Sequence, residues 1–185
     1  MSPPPPAPSP APADPHGVSS LIASLSLAPH PEGGYFRRLH QHASLKLPSI
    51  PSPSASSPPT NVPASSSIHY LLTPSSPIGH FHSNQHLTYH FLHRGGGRYV
   101  LIHPDTGKVE TFLVGHGEGR RLMWVVEGGV WKASCLEGEE LLLISEVVVP
   151  SWTPEQHRFL DEEGLRGIVK DKVVRESLQG YLKKE

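Results

Sequence analysis

From Ser67 onward, short apolar runs follow one another along the chain. They are Ile68–Thr73, Leu87–Leu92, Tyr99–His103, Val109–Val114, Arg121–Val126, Val130–Cys135 and Leu141–Val149. Turn residues punctuate them, including Pro104-Asp105-Thr106-Gly107, Glu127-Gly128-Gly129 and Glu137-Gly138. No amphipathic helical period lies between the runs. Strands this short and this regularly spaced predict an all-β, antiparallel sandwich, jelly roll or barrel. Gly33 to His40 reads as a turn leading into a further strand. Helical signals stand only at the two ends. Asp14-Pro15 is an N-cap acceptor followed by proline, and Val18, Leu21, Ile22 and Leu25 recur at helical spacing until Pro29 and Pro31 stop them. Val174, Leu178, Tyr181 and Leu182 predict a short C-terminal helix packed outside the sheets. Helices are thus expected only near 15–27 and 170–184.

The chain has 185 residues, enough for one ordinary domain. Its 21 prolines are clustered, with eight in residues 1–15 and six in 48–63. Residues 1–14 read as a disordered Pro/Ala/Ser tail. Residues 15–165 read as a single domain with a long, mobile Pro/Ser-rich loop at about 46–66, and 166–185 as a helical extension. Sixteen basic against 17 acidic residues, with no basic run, argue against a nucleic-acid partner. No run of 18 apolar residues offers a membrane span, and no signal-peptide pattern opens the chain. The single cysteine, Cys135, excludes an intramolecular disulfide framework and fits a reducing, cytoplasmic setting.

Histidine is the unusual residue. There are 13, five of them between His80 and His93. Residues i and i+2 of a strand share a face, so His80 and His82 are expected to project together. After the Ser83-Asn84-Gln85 turn, Thr88 and His90 share one face, while Leu87, Tyr89, Phe91 and His93 take the other. Two readings stand. The imidazoles are ligands in a pocket, since neutral imidazole suits zinc, iron, copper and nickel; or they are hydrogen-bonded members of a half-buried wall.

Several motifs together carry a resemblance. They are His30-Pro31-Glu32-Gly33-Gly34-Tyr35-Phe36, the stretch from Ser67 to Pro74, His90 through Gly95, Gly97 to Ile102, Val125 to Ala133, and Ile144 to Pro150. In this order, over roughly residues 18–161, the chain resembles a small single-domain family of the cupin superfamily long catalogued as a domain of unknown function. The resemblance implies an antiparallel jelly-roll barrel with a small-molecule site in its mouth. It also implies pairing as a homodimer, with the N-terminal helix and the strand from Tyr35 nearest the interface. It does not fix the chemistry, because cupins include dioxygenases, decarboxylases, epimerases, isomerases and non-catalytic binders.

Metal-binding cupins place a glutamate three or four residues after the histidine pair, where this chain has His86 or Leu87. They place a further histidine three residues beyond a glycine in the second motif, where counting from Gly129 gives Lys132. The resemblance therefore implies His80, His82 and His86 as metal ligands, with His90 as a substitute nitrogen, for one divalent transition metal (Fe, Zn, Mn, Ni or Cu). Glu32 and Tyr35 in the opening motif, and Trp131 beside Lys132, are candidate ligand contacts. Glu146 interrupts an apolar strand and must face a partner, a pocket or solvent. His157 reads as a surface residue. The functional expectation is a small-molecule-binding protein and an enzyme on a small polar metabolite. Without metal, His82, His90, Tyr99 and Glu146 would supply acid–base chemistry of the epimerase or isomerase kind. With metal, oxygenase or lyase chemistry is expected. The alternative is a non-catalytic ligand-binding or storage-like barrel.

Overall fold

A computed structural model describes residues 17–49 and 61–184. Helix α1 (Val18–Ser24) follows Gly17 and leads to the short β1 (Ala28–Pro29). The helix start expected at Asp14-Pro15 lies outside the described residues. Next come β2 (Tyr35–Gln41), β3 (Lys46–Pro48), β4 (Asn61–Pro63), β5 (Ser66–Leu72), β6 (Ile78–Asn84) and β7 (Leu87–Gly95). Then follow β8 (Gly97–Ile102), β9 (Val109–Val114), β10 (Met123–Val126), β11 (Trp131–Cys135) and β12 (Leu142–Val149). A 3₁₀ turn (Pro154–Gln156), β13 (His157–Phe159), α2 (Glu162–Ile168) and α3 (Lys172–Leu178) close the chain.

Two antiparallel sheets face each other as a jelly roll. One has the order β1-β2-β5-β12-β7-β10 and the other β13-β6-β11-β8-β9. Strand alternation explains why so many runs look uniformly apolar. In β8, Tyr99 and Leu101 point into the barrel core with Tyr70, Leu72, Phe112, Trp124, Leu142 and Ile144. Val100 and Ile102, on the opposite face, pack under the C-terminal helices with Phe81, Leu165 and Leu178. A strand buried on both faces loses its polar alternation. The six-stranded sheet is covered on its outer side as well. There Leu27, Leu71 and Leu143 meet Val18, Leu21 and Ile22 of α1, together with Tyr35.

Two expectations change. The C-terminal helical region begins earlier than the spacing suggested, because α2 is capped by Asp161, whose carboxylate accepts from the Gly164 amide at 2.7 Å. The ends of the proline-rich stretch are also ordered: β3 and β4 pair, with Lys46 opposite Pro63, and Val62 and Ala64 are buried. Residues 50–60 lie outside the described chain. Among the described residues, no helix is long and apolar enough to cross a membrane.

The C-terminal helices belong to the core and are not an appendage. Leu165→Ala removes a fully buried side chain beneath the five-stranded sheet and should destabilise by about 2–5 kcal/mol. Val173→Ala, on the exposed side of α3, should stay within about 0.5 kcal/mol. Urea denaturation checks both; equal effects would mean that α2 does not dock as described.

Candidate functional site

The site begins with a turn. Between β1 and β2, His30-Pro31-Glu32-Gly33-Gly34 folds back over β6, and the His80 amide donates to the Glu32 carbonyl at 2.7 Å. Gly33 has φ +95, and a Cβ there would stand 2.1 Å from the Ile78 carbonyl oxygen. Only glycine lets the turn lie this close to the strand. The Tyr70 hydroxyl, which burial pushes well above its ordinary pKa, donates to the Gly33 carbonyl at 2.9 Å. So anchored, the turn sends the Glu32 carboxylate inward.

Three imidazoles receive it. His157 Nε2 donates to Glu32 Oε1 at 2.7 Å, His82 Nε2 stands 3.3 Å from Oε2, and His30 Nδ1 stands 3.5 Å from Oε2. His157 arrives by β13, which pairs with β6 in the register His157 to Asn84 and Phe159 to His82. His82 and His157 are diagonal neighbours on one face, their rings stacked at 5.4 Å. Burial alone would raise the Glu32 carboxyl, but His82 and the other imidazoles outweigh it and hold it far below the usual range. Burial lowers His82 to about 4. Glu32, His82 and His157 are a group whose ligand-type atoms all lie within 4.8 Å of one another.

A second buried cluster lies in the barrel wall. Lys132 Nζ donates to Glu146 Oε2 at 2.8 Å and to His90 Nε2 at 3.0 Å. Burial, then the Lys132 charge, push His90 well below its ordinary pKa, so it is a neutral acceptor. His90 stacks on Trp124 at 5.0 Å and meets Tyr99 edge-on at 5.5 Å. Between the two clusters opens a cavity of about 370 Å³ in the barrel mouth. Glu32, His157, Asn84 and Glu146 give it polar points, while Phe36, Ile68, Val148, Trp152 and Phe159 give it apolar walls.

The expected residues are thus distributed unevenly. Glu32, His82, His90, Glu146 and Lys132 belong to the two clusters. His80 does not share a face with His82. A β-bulge sets His80 and Phe81 together opposite Ala133, between the pairs Lys132–His82 and Ser134–Gly79, and this turns His80 toward Tyr181 and Lys183. His86 bonds the Ser151 carbonyl at 3.1 Å and stands outside the Glu32 group. Tyr35 packs with α1 on the outer face, across the sheet from the cavity. Trp131 faces outward beneath the C-terminal helices, because its neighbour Lys132 takes the inward position of β11. Tyr99 is in the core but does not line the cavity. The sequence reasoning did not single out His30, and it missed His157, read as a surface residue. Its partner strand β6 lies over 70 residues earlier, and no local pattern announces that pairing.

The metal set that the resemblance implied does not fit these residues. The bulge separates its first two histidines. Where its last histidine would stand, the Lys132 ammonium already fills the place with its own cation.

The fold and the buried polar mouth define a small-molecule-binding type of β-barrel. The chain belongs to the cupin superfamily family described as DUF985, whose profile matches residues 19–160. It is 43% identical over 157 residues to the uncharacterized protein YML079W of Saccharomyces cerevisiae, covering 80% of this chain and 78% of the yeast protein. Two solved structures share the fold. A hypothetical protein from Leishmania major has TM-score 0.76 and 20% identity, covering 90% of this chain and 99% of that one. Protein SO0799 from Shewanella oneidensis has TM-score 0.72 and 22% identity, covering 91% and 98%.

The buried histidines make stability depend on pH. In chelator-containing buffer, an unfolded histidine takes up a proton near its ordinary 6.5, while native His82 resists until about 4. This contribution is therefore complete above pH 6.5 and is lost as pH falls toward 4. It is on the order of 3 kcal/mol at 1.36 kcal/mol per unit. His30 and His90, lowered too, act in the same direction. The depressed Glu32 carboxyl adds its loss only below its ordinary 4.5. The melting temperature should fall between pH 7 and 5; a flat or rising trend would contradict a neutral, buried His82.

Proposed function

We propose that the protein is an enzyme that moves a proton on a small metabolite bound in the barrel mouth, with Glu146 as the proton acceptor. The observation that carries this reading is the buried Lys132–Glu146–His90 cluster at the cavity wall. Lys132 is 2% exposed and Glu146 6%. Ion pairs buried this deeply are seldom the most stable choice, and well-packed apolar side chains often replace them at no loss. Their presence beside an apolar-walled cavity fits a chemical role. A ligand of suitable size seats its apolar body against Phe36, Ile68, Val148 and Trp152, and presents an acidic C–H or O–H to Glu146. The Lys132 ammonium balances the Glu146 charge, and neutral His90 holds Lys132 in place. A proton taken from one carbon and returned to a neighbouring atom, or to the opposite face of the same carbon, leaves the composition of the ligand unchanged, which is isomerase or epimerase chemistry and needs no oxidant.

The test separates chemistry from folding. Lys132→Met alone leaves Glu146 buried without its partner and should cost about 3–5 kcal/mol. The double variant Lys132→Met/Glu146→Gln should recover most of that stability. Incubated with a small-metabolite mixture in D₂O, the wild type should place deuterium at one carbon of a bound compound, read by mass spectrometry, and Glu146→Gln should not. A compound that binds without exchange would favour the non-catalytic barrel.

A further inference from the structure

The Glu32 cluster plays no part in that proton transfer, and its hydrogen bonds do not close. His82 Nδ1 lies 2.9 Å from the His80 carbonyl, which can only accept, so the ring proton of neutral His82 sits on Nδ1. Nε2 then carries an unprotonated lone pair and stands 3.3 Å from Glu32 Oε2. His30 Nδ1 accepts the Glu32 amide proton at 3.3 Å, so it has no proton to give Oε2, 3.5 Å away. Two imidazole nitrogens thus stand beside one carboxylate oxygen, and neither donates to it. His82 is only 5% exposed, and its Nε2 has no hydrogen-bond partner. A buried nitrogen lone pair left unpartnered beside a buried anion is costly unless a cation takes up both.

We propose that Glu32, His82 and His157 bind one divalent transition-metal ion of the zinc class, with its open position facing the cavity. Two imidazoles and one carboxylate are the donor set of three-ligand metal sites that keep a position free. Donors about 2.0–2.1 Å from a tetrahedral ion stand roughly 3.4 Å from one another, and Glu32 Oε2 and His82 Nε2 stand 3.3 Å apart. His82 is already oriented as a ligand, because its other nitrogen is tied to a backbone carbonyl. Glu32 and His157 line the cavity, so the free position opens onto the space where the metabolite sits. If the ion binds His157 through Nε2, the ring takes the tautomer that carries its proton on Nδ1, and the hydrogen bond now given to Glu32 Oε1 is replaced by the shared ion. This set shares only His82 with the one implied by the family resemblance. Its other two ligands come from the turn before β2 and from β13.

The proposal goes beyond the proton-transfer reading, and its test needs no metabolite, so either can fail alone. Purified full-length protein is stripped with chelator and titrated with zinc by calorimetry, then with cobalt(II) by visible absorption. One ion per chain is expected, with an intense tetrahedral-type cobalt spectrum. His157→Ala and Glu32→Gln should each weaken zinc at least tenfold, while His80→Ala should leave it unchanged. X-ray absorption of the zinc-loaded wild type should show two imidazoles and oxygen donors, whatever the folding of the variants. Three results would overturn the site: no ion bound, undiminished binding in both site variants (an ion on surface histidines), or loss of the ion on His80→Ala.

Discussion

The charge of Glu32 is the constraint to which the barrel mouth is built. A carboxylate placed among Phe36, Ile68 and Trp152 loses its hydration, and nothing apolar can return that energy. Compensation has to come from donors delivered by other parts of the chain. The turn before β2 supplies the carboxylate and β13 supplies the donor, His157, while β6 brings the His82 ring to 3.3 Å on the other side. The three segments lie some 50 and 75 residues apart in sequence, and the mouth forms only when all have docked. The ionic requirement and the closing of the sheet edge are therefore one event. The β6–β13 pairing is short, and the Glu32–His157 hydrogen bond adds a tie that three residue pairs alone would not provide.

The barrel meets a second buried carboxylate, Glu146, in a different way. Here the cation is covalent: Lys132 reaches across from β11 and needs no ion from solvent. Neutral His90 completes the ammonium shell, and the rings of Trp124 and Tyr99 keep water from it. Glu32 has no such ammonium, only imidazoles lowered by the same burial that isolates them. One cluster is balanced within itself, while the other is left short of positive charge. That asymmetry, across a single cavity, is the ground for proposing different roles for them.

Much of the fold was legible because strand runs and turn residues are local signals. The segments from Ile68 to Val149 were each bounded within a few residues, and the inward pair Thr88 and His90 followed from simple alternation. The site was legible only in part. Glu32 and Glu146 stood out as acids in glycine-rich or apolar surroundings, His82 and His90 as members of a histidine cluster, and Lys132 by its place in the second motif of the resemblance. His80 misled because alternation assumes an unbroken ladder, and a bulge is a two-strand property that one strand does not reveal. Tyr35 and Trp131 misled because aromatic side chains suit an outer core as well as a pocket wall. His157 was missed because its meaning depends on pairing with a distant edge strand.

The bulge also accounts for the placing of Glu32. It shifts the phase of β6, so that Gly79 and His82, three residues apart, both face Ser134 and Lys132 of β11 from the inside. A side chain at position 79 would collide at 2.6 Å with the Ser134 and Tyr70 hydroxyl oxygens. Glycine there leaves room for the Tyr70 hydroxyl, which uses that room to reach the Gly33 carbonyl. The Gly33 turn in turn holds Glu32 over His82. Had β6 run without a bulge, alternation would have turned position 79 outward, away from Tyr70, and set His80 beside His82. The histidine pair that the resemblance implied would then have been intact. The same one-residue irregularity that disperses the expected pair thus places the glycine that lets Glu32 join His82 and His157.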